Sequence, residues 1–417
     1  MDELIYKPKK KKENAFLKFC IILFLILFTV EMLSFLLLKS DLLTGLYIKL
    51  LFGITITFSL FMIKTWSGHD KIAAIIFFIL LIKLIVESLL YYGKPLVHPS
   101  VLAVMSPFIY VYFIKYVSLK LKMDYFRYFN ITVLLSYFVF MLLYGIDFSF
   151  SIAPVITEET GPFAGDSRIL HSNSILLVIV PYLFYLNEYI KKKSLKNLFL
   201  FLVPLLIIVI HQHRTVWVST ILSTLLFFFI KSRSFSVILK LLSIVIIIVL
   251  VIVIAMFAVP EFTAMFAERF DDVFDPLNPD NTAGWRYIQI LSYLDLVFQK
   301  PIFGWSFAGF RLPNQFMIQN SESEGTGHHF HDSYLEVLFY FGIIGLLIKY
   351  YPLYKIAKQA FKYKLSEKSQ ILSAFCISGF LYSFSYVPPL AFWAVTGMCM
   401  YYITIDIVVY EKTKKNG

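Results

Sequence analysis

The chain has 417 residues, 59% of them hydrophobic and 16% charged, and its mean hydropathy is +0.75. A water-soluble fold of this length cannot hide that much apolar surface, which excludes an ordinary soluble enzyme. The net charge of +11 lies in short clusters between apolar runs, the positive-inside pattern of a polytopic membrane protein rather than the signature of a nucleic-acid binder.

In chain order, Lys9 to Lys12 precede an apolar run that starts at Phe16. The run is too long for a signal-peptide core and lacks a small-residue cleavage site, so it is expected to stay as a first helix. Apolar runs of about 17 to 24 residues match the bilayer core, and only helices satisfy their backbone in such runs. The predicted spans are 16–38, 42–63, 72–92, 101–117, 128–147, 174–190, 197–211, 215–230, 235–258, 333–350, 371–387 and 389–408. The expected fold class is thus an all-α polytopic membrane protein with about twelve transmembrane helices. It divides into an N-terminal bundle over 1–258, a large external loop over 259–332 and a C-terminal bundle over 333–417. With the N-terminus in the cytoplasm, the clusters Lys120/Lys122/Arg127, Lys191 to Lys193 with Lys196, Lys231/Arg233, Lys355 to Lys368 and Lys412 to Lys415 all fall inside. The long loop, with ten acidic residues against four basic ones, falls outside. Both termini are then cytoplasmic.

Few charges interrupt the spans. Glu31 and Lys49 are isolated and expected to face neighbouring helices, while Lys83 and Glu87, four residues apart, are expected to neutralise each other. Cys20, Cys376 and Cys399 lie inside apolar runs and suit neither a disulfide nor a zinc site. Between the spans, three external segments gather Arg and His: 147–172, His211 to Thr215, and the long loop. Within the loop, Trp285 to Phe298 has Ile288, Leu291, Leu294 and Phe298 at helical spacing, with Asn281 or Thr282 able to cap it and Pro301 to stop it. Such a helix could lie in the outer interface and roof a cavity. Gly304 and Gly309 permit tight turns after it.

The candidate residues carry competing readings. Arg214, at the external end of a span, is either an interfacial anchor or a ligand facing a cavity. Arg286 opposes the dipole in the first turn of the loop helix, so it either pairs with Asp280 or Glu268 or binds a phosphate. His328, His329 and His331 precede Asp332 without a partner cluster at metal-ligand spacing. His331 suits a general base or an orienting imidazole better, the plain alternative being interfacial histidines. Asp332 and Glu336 favour a helix N-terminus electrostatically. No Walker motif, no GxGxxG before a strand, no HExxH and no clear DxD occurs, so neither nucleotide-driven transport nor a cytoplasmic sugar-nucleotide donor is indicated.

Taken in order, these pieces resemble the O-antigen ligase and O-antigen polymerase family of bacterial polysaccharide assembly. Arg168-Ile169-Leu170-His171-Ser172-Asn173 is similar to the family's Arg and His-Pro-Asn stretch, and His213-Arg214-Thr215 to its Ser-Arg-Thr helix start. Gly284-Trp285-Arg286 resembles its Gly-Arg, Pro301-Ile302-Phe303-Gly304 its Pro-Leu-Phe-Gly turn, and His331-Asp332-Ser333-Tyr334-Leu335-Glu336 its His-Asn-Ser-Tyr-Leu-Glu. Asp332 stands where Asn is usual, Val216 where Gly is frequent, and Ser306 where the turn has a second Gly. The resemblance implies a membrane glycosyltransferase of the C-type helical architecture, without metal or other cofactor. Its donor would be a glycan on undecaprenyl diphosphate, its surroundings membrane lipid, and its partners a flippase and a chain-length regulator. It further implies catalytic roles for His331, Arg286 and Arg214, and substrate contacts for Arg168, His213, Asn173, Asp332 and Glu336. A polymerase, a ligase and a lipid-linked oligosaccharide flippase are the three functions in play.

Overall fold

A computed structural model describes residues 41–94, 104–122, 124–144, 170, 172–211, 213–234, 236, 239, 282–312 and 330–416. Among these residues there are helices and turns and no strand. The helices are α1 (Asp41–Met62), α2 (Gly68–Tyr92), α3 (Pro107–Leu121), α4 (Phe126–Tyr144), α5 (Ser172–Leu176), α6 (Ile179–Lys191), α7 (Leu195–Ile210), α8 (Arg214–Ser232), α9 (Thr282–Gln299), α10 (Ser333–Lys362), α11 (Glu367–Tyr382) and α12 (Leu390–Asn416). Among the described residues six segments, including the joined α5–α6, are long and apolar enough to cross a membrane. The expected span 16–38 and most of 235–258 lie outside the described residues, as do Cys20, Glu31, Arg168, Asn281, His328 and His329.

The helices show the inside-out pattern that lipid selects. On α2, Ile72, Ile75, Ile79, Ile82, Val86 and Leu90 form an exposed stripe, while Ala73, Ala74, Phe77, Leu80, Leu81 and Leu84 are buried. A soluble monomer rarely exposes so continuous an apolar face. The basic clusters gather at one end of the bundle. There Lys355 and Lys115 hold the buried Asp70, Lys191 meets Glu188 and Glu367, Lys368 pairs with Asp124, and Arg233 donates to the carbonyls of Phe361 and Tyr363.

α10 has thirty residues but is not one rod, because Gly342 (φ 61°, ψ −160°) breaks it. In a straight helix Ser333 and Lys349 would stand about 24 Å apart. Instead Lys349 Nζ donates to Ser333 Oγ at 3.1 Å, lies 3.6 Å from Glu336 Oε2, and the Tyr334 and Tyr350 rings stack at 4.6 Å. A Cβ on Gly345 would sit only 3.3 Å from Val337 Cγ1, so the two sides of the bend are closely apposed. α10 is a helical hairpin with a short arm, 333–341, and a long arm, 343–362. The predicted span 333–350 is corrected accordingly. The long arm, about 30 Å in length, is the part that can cross a bilayer, and the short arm doubles back beside it.

The Pro301–Gly304 turn locks this bend. Its Pro301 and Ile302 carbonyls accept from Ile343 N at 2.8 Å and Ile344 N at 3.3 Å, amides that the start of the long arm leaves open. Gly304 (φ 64°) and Gly342 touch so closely that a Cβ on either would fall about 2.5 Å from backbone atoms of the other segment. Next, Ser306–Arg311 forms a 3-10 turn against α2. Ser306, at φ 46°, adopts the left-handed backbone that a glycine would take without cost, and its Oγ accepts from Lys83 Nζ at 2.6 Å. Lys83 and Glu87 pair with each other at 2.8 Å as the sequence suggested, and Glu87 also accepts from Phe307 N at 3.3 Å.

α9 contains the predicted loop helix 285–298. Gln289, Ser292, Tyr293 and Val297 are buried, whereas Tyr287, Leu291, Leu294 and Phe298 are exposed. The helix stands beside the short arm of α10, with Tyr293 packed edge-on against Phe330 and Phe339.

Candidate active site at one end of the helix bundle

Opposite the basic end, the bundle joins the segments that the sequence singled out. His213 caps α8, is buried, and donates from Nε2 to the Leu170 carbonyl at 2.8 Å. A carbonyl only accepts, so this nitrogen carries the proton and its tautomer is set by the fold. The neighbouring His211 ring lies parallel at 6.3 Å and shares a 3.0 Å hydrogen bond with Tyr137 Oη. Arg214, half-buried, opens α8 directly after.

Asn173, at the start of α5, accepts from Tyr382 Oη at 2.7 Å, and the same hydroxyl lies 3.0 Å from Ser172 Oγ. The Tyr382 ring stacks on Tyr386 at 5.4 Å, and the Arg286 guanidinium sits 4.8 Å over the Tyr386 ring centre. An arginine held on an aromatic face keeps its charge while it is partly stripped of water. Its Nε is buried and has no hydrogen-bond partner among the described residues.

His331 and Asp332 lead into the short arm of α10. The His331 amide donates to Gln289 Oε1 at 3.2 Å, so α9 holds the backbone of the imidazole residue while presenting Arg286 one turn earlier. Asp332 is the N-cap, accepting from Leu335 N at 2.7 Å. Burial pushes its carboxyl above the ordinary carboxylate range, against the opposing pull of the Leu335 and Tyr334 amides and the Arg286 charge. Ser333 N donates to the Ser383 carbonyl at 2.9 Å, which ties the same point to the end of α11.

Arg286, Asp332, His331 and Asn173 thus belong to one connected end of the bundle, which His213 and Arg214 adjoin through Leu170. Glu336 turns to Lys349, and Arg168 lies outside the described residues. Four residues escaped the sequence reading: Tyr382, Tyr386, Gln289 and Lys349. The signal nearest to them was the Tyr382/Tyr386 pair, one helical turn apart just before Pro388-Pro389. No group of three or more His, Cys, Asp or Glu side chains able to hold a metal occurs among the described residues.

Residues 199–349 match the family model described as O-antigen ligase. Over this stretch the chain is similar to the O-antigen ligase family. The match takes in Arg214, Arg286, His331, Asp332 and both sides of the Gly342 bend, and it leaves out Asn173, Tyr382 and Tyr386. The apolar spanning helices and this similarity mark a membrane protein, and the members of the family it resembles are glycosyltransferase-like enzymes. No curated protein matches the chain.

Proposed function

We propose that the protein is a polysaccharide polymerase of the outer face of the bacterial inner membrane. It moves a glycan from undecaprenyl diphosphate to a sugar hydroxyl of another lipid-linked repeat unit. The observation that carries this reading is Arg286, which is stacked on Tyr386 with its Nε buried and unmatched among the described residues, beside the His331–Asp332 turn. A guanidinium so prepared suits the oxygens of a diphosphate, and Arg214 is the second cation assigned to it. In the reaction the acceptor oxygen bonds to the anomeric carbon and the bond from that carbon to the diphosphate oxygen breaks. The electron pair leaves with the diphosphate, and His331 takes the acceptor proton. The diphosphate is already a competent leaving group, so the step needs neither a nucleotide nor a metal. Asn173, His213, Asp332 and Arg168 are assigned to orienting the substrates and their ligands. A flippase that delivers the donor and a chain-length regulator are the partners this role calls for.

The family description favours a second reading, transfer of the finished glycan to lipid A–core or another acceptor. Purified protein reconstituted with lipid-linked repeat units alone separates the two. A ladder of product lengths is the expected result, whereas product that forms only after a different acceptor is added means a ligase. Activity should persist in EDTA, and His331→Ala and Arg286→Ala should each cost at least about a hundredfold in turnover at normal membrane levels. Wild-type polymer from both variants would sink the site assignment.

A further inference from the structure

We propose that Lys349 is a positioning residue, which sets the depth and angle of the short arm of α10 and through it the place of His331. The inference rests on the reading above, in which His331 takes the acceptor proton. Lys349 belongs to the long arm and is 1% exposed. Its ammonium reaches across the hairpin to Ser333 Oγ at 3.1 Å and to Glu336 Oε2 at 3.6 Å, and it lies 5.7 Å from the Trp393 ring centre. An ammonium inside an apolar bundle is costly, and it persists where a partner and a task hold it.

The Lys349 contacts join two arms that Gly342 would otherwise let pivot. Pro301, Ile302 and Gly304 fix the arm at the bend, and Lys349 fixes it at the base, two residues from His331. The arm is a lever about 13 Å long, so a swing of about 5° moves its base by about 1 Å. A displacement of that size at a reacting group costs about a hundredfold in rate.

The test uses the full-length protein with lipid-linked repeat units. Lys349→Met should lower kcat by roughly ten- to a hundredfold while KM for the lipid-linked donor stays within about twofold. The double variant Lys349→Met/Glu336→Gln leaves no lone buried charge, should fold where the single variant does not, and should show the same kcat loss. Exchanging the pair, Glu336→Lys with Lys349→Glu, should recover at least about tenfold over Glu336→Lys alone, which a direct role of Glu336 in substrate binding would not allow. Hydrogen exchange should rise in the 333–341 amides and stay unchanged beyond residue 350. The assignment is overturned if the folded neutral double variant keeps wild-type kcat and native protection in the short arm. A fully active His331→Ala would instead remove the underlying reading, and an inactive His331→Ala beside a fully active Lys349→Met would remove only the positioning role.

Discussion

A guanidinium laid on a phenol ring gives up part of its water and keeps all of its charge, which leaves it ready for an anion. The Arg286–Tyr386 pair at 4.8 Å allows that idea to be dissected, because the ring and the hydroxyl can be removed separately. Tyr386→Phe should keep kcat/KM within about threefold, while Tyr386→Ala should cost about 2 kcal/mol, or roughly thirtyfold, as measured in the reconstituted reaction. Asp332 gives a prediction in pH. Its folded pKa lies above its unfolded one because burial outweighs the amides and Arg286, so ionisation costs the folded state more than the unfolded state. Stability should therefore fall as pH rises from the ordinary value of 3.8 through the raised one. Asp332→Asn keeps an N-capping oxygen and should flatten that dependence in thermal melts and raise the neutral-pH midpoint by a few degrees. At this scale the charged members of the site were legible, since a charge beside an apolar run needs a reason to be there. Tyr382 and Tyr386 were not, because a tyrosine at a membrane boundary is ordinary until its neighbours are known.

The secondary elements show where a rule made for water has to be turned over. The sequence marks α9 as a helix and finds its apolar stripe, of which Leu291, Leu294 and Phe298 are exposed where a soluble fold would bury them, while Gln289 and Ser292 point inward. The hairpin in α10 was illegible for another reason. A glycine within an apolar helical run signals nothing by itself, and only the positive φ of Gly342, set against the carbonyls of Pro301 and Ile302, reveals the reversal. Gly342→Ala would force a left-handed backbone on alanine and put its Cβ 2.4 Å from the Ile302 carbonyl. Neither strain can be relieved by a side-chain rotation, so this variant should lose folded protein, seen as aggregation in size-exclusion chromatography, and activity together.

Across the whole molecule, charge separates the two ends. Basic segments far apart in sequence converge at the end remote from His331. What hydropathy does not show is the cost of holding that end together. Asp70 is fully buried and joins α2, α3 and α10 through Lys115, Lys355 at 2.8 Å and Tyr116 at 3.0 Å. Asp70→Asn would leave two ammonium groups without their counter-charge, at a cost of about 3–5 kcal/mol. The expected result is a marked fall in detergent-solution melting temperature, with the activity of each surviving folded molecule within about twofold of wild type, since the site lies at the other end.

Across the bend at Gly342 the chain pairs with itself almost as a mirror does: Ser333 and Glu336 with Lys349, Tyr334 with Tyr350, Val337 with Gly345. Each partner is reckoned by its distance from the bend, and a helix turns about 100° with every residue. A single residue inserted next to the bend in either arm would therefore rotate one half of every pair out of reach at once. Length is as much a part of this design as composition, and the arms can be lengthened or shortened only together.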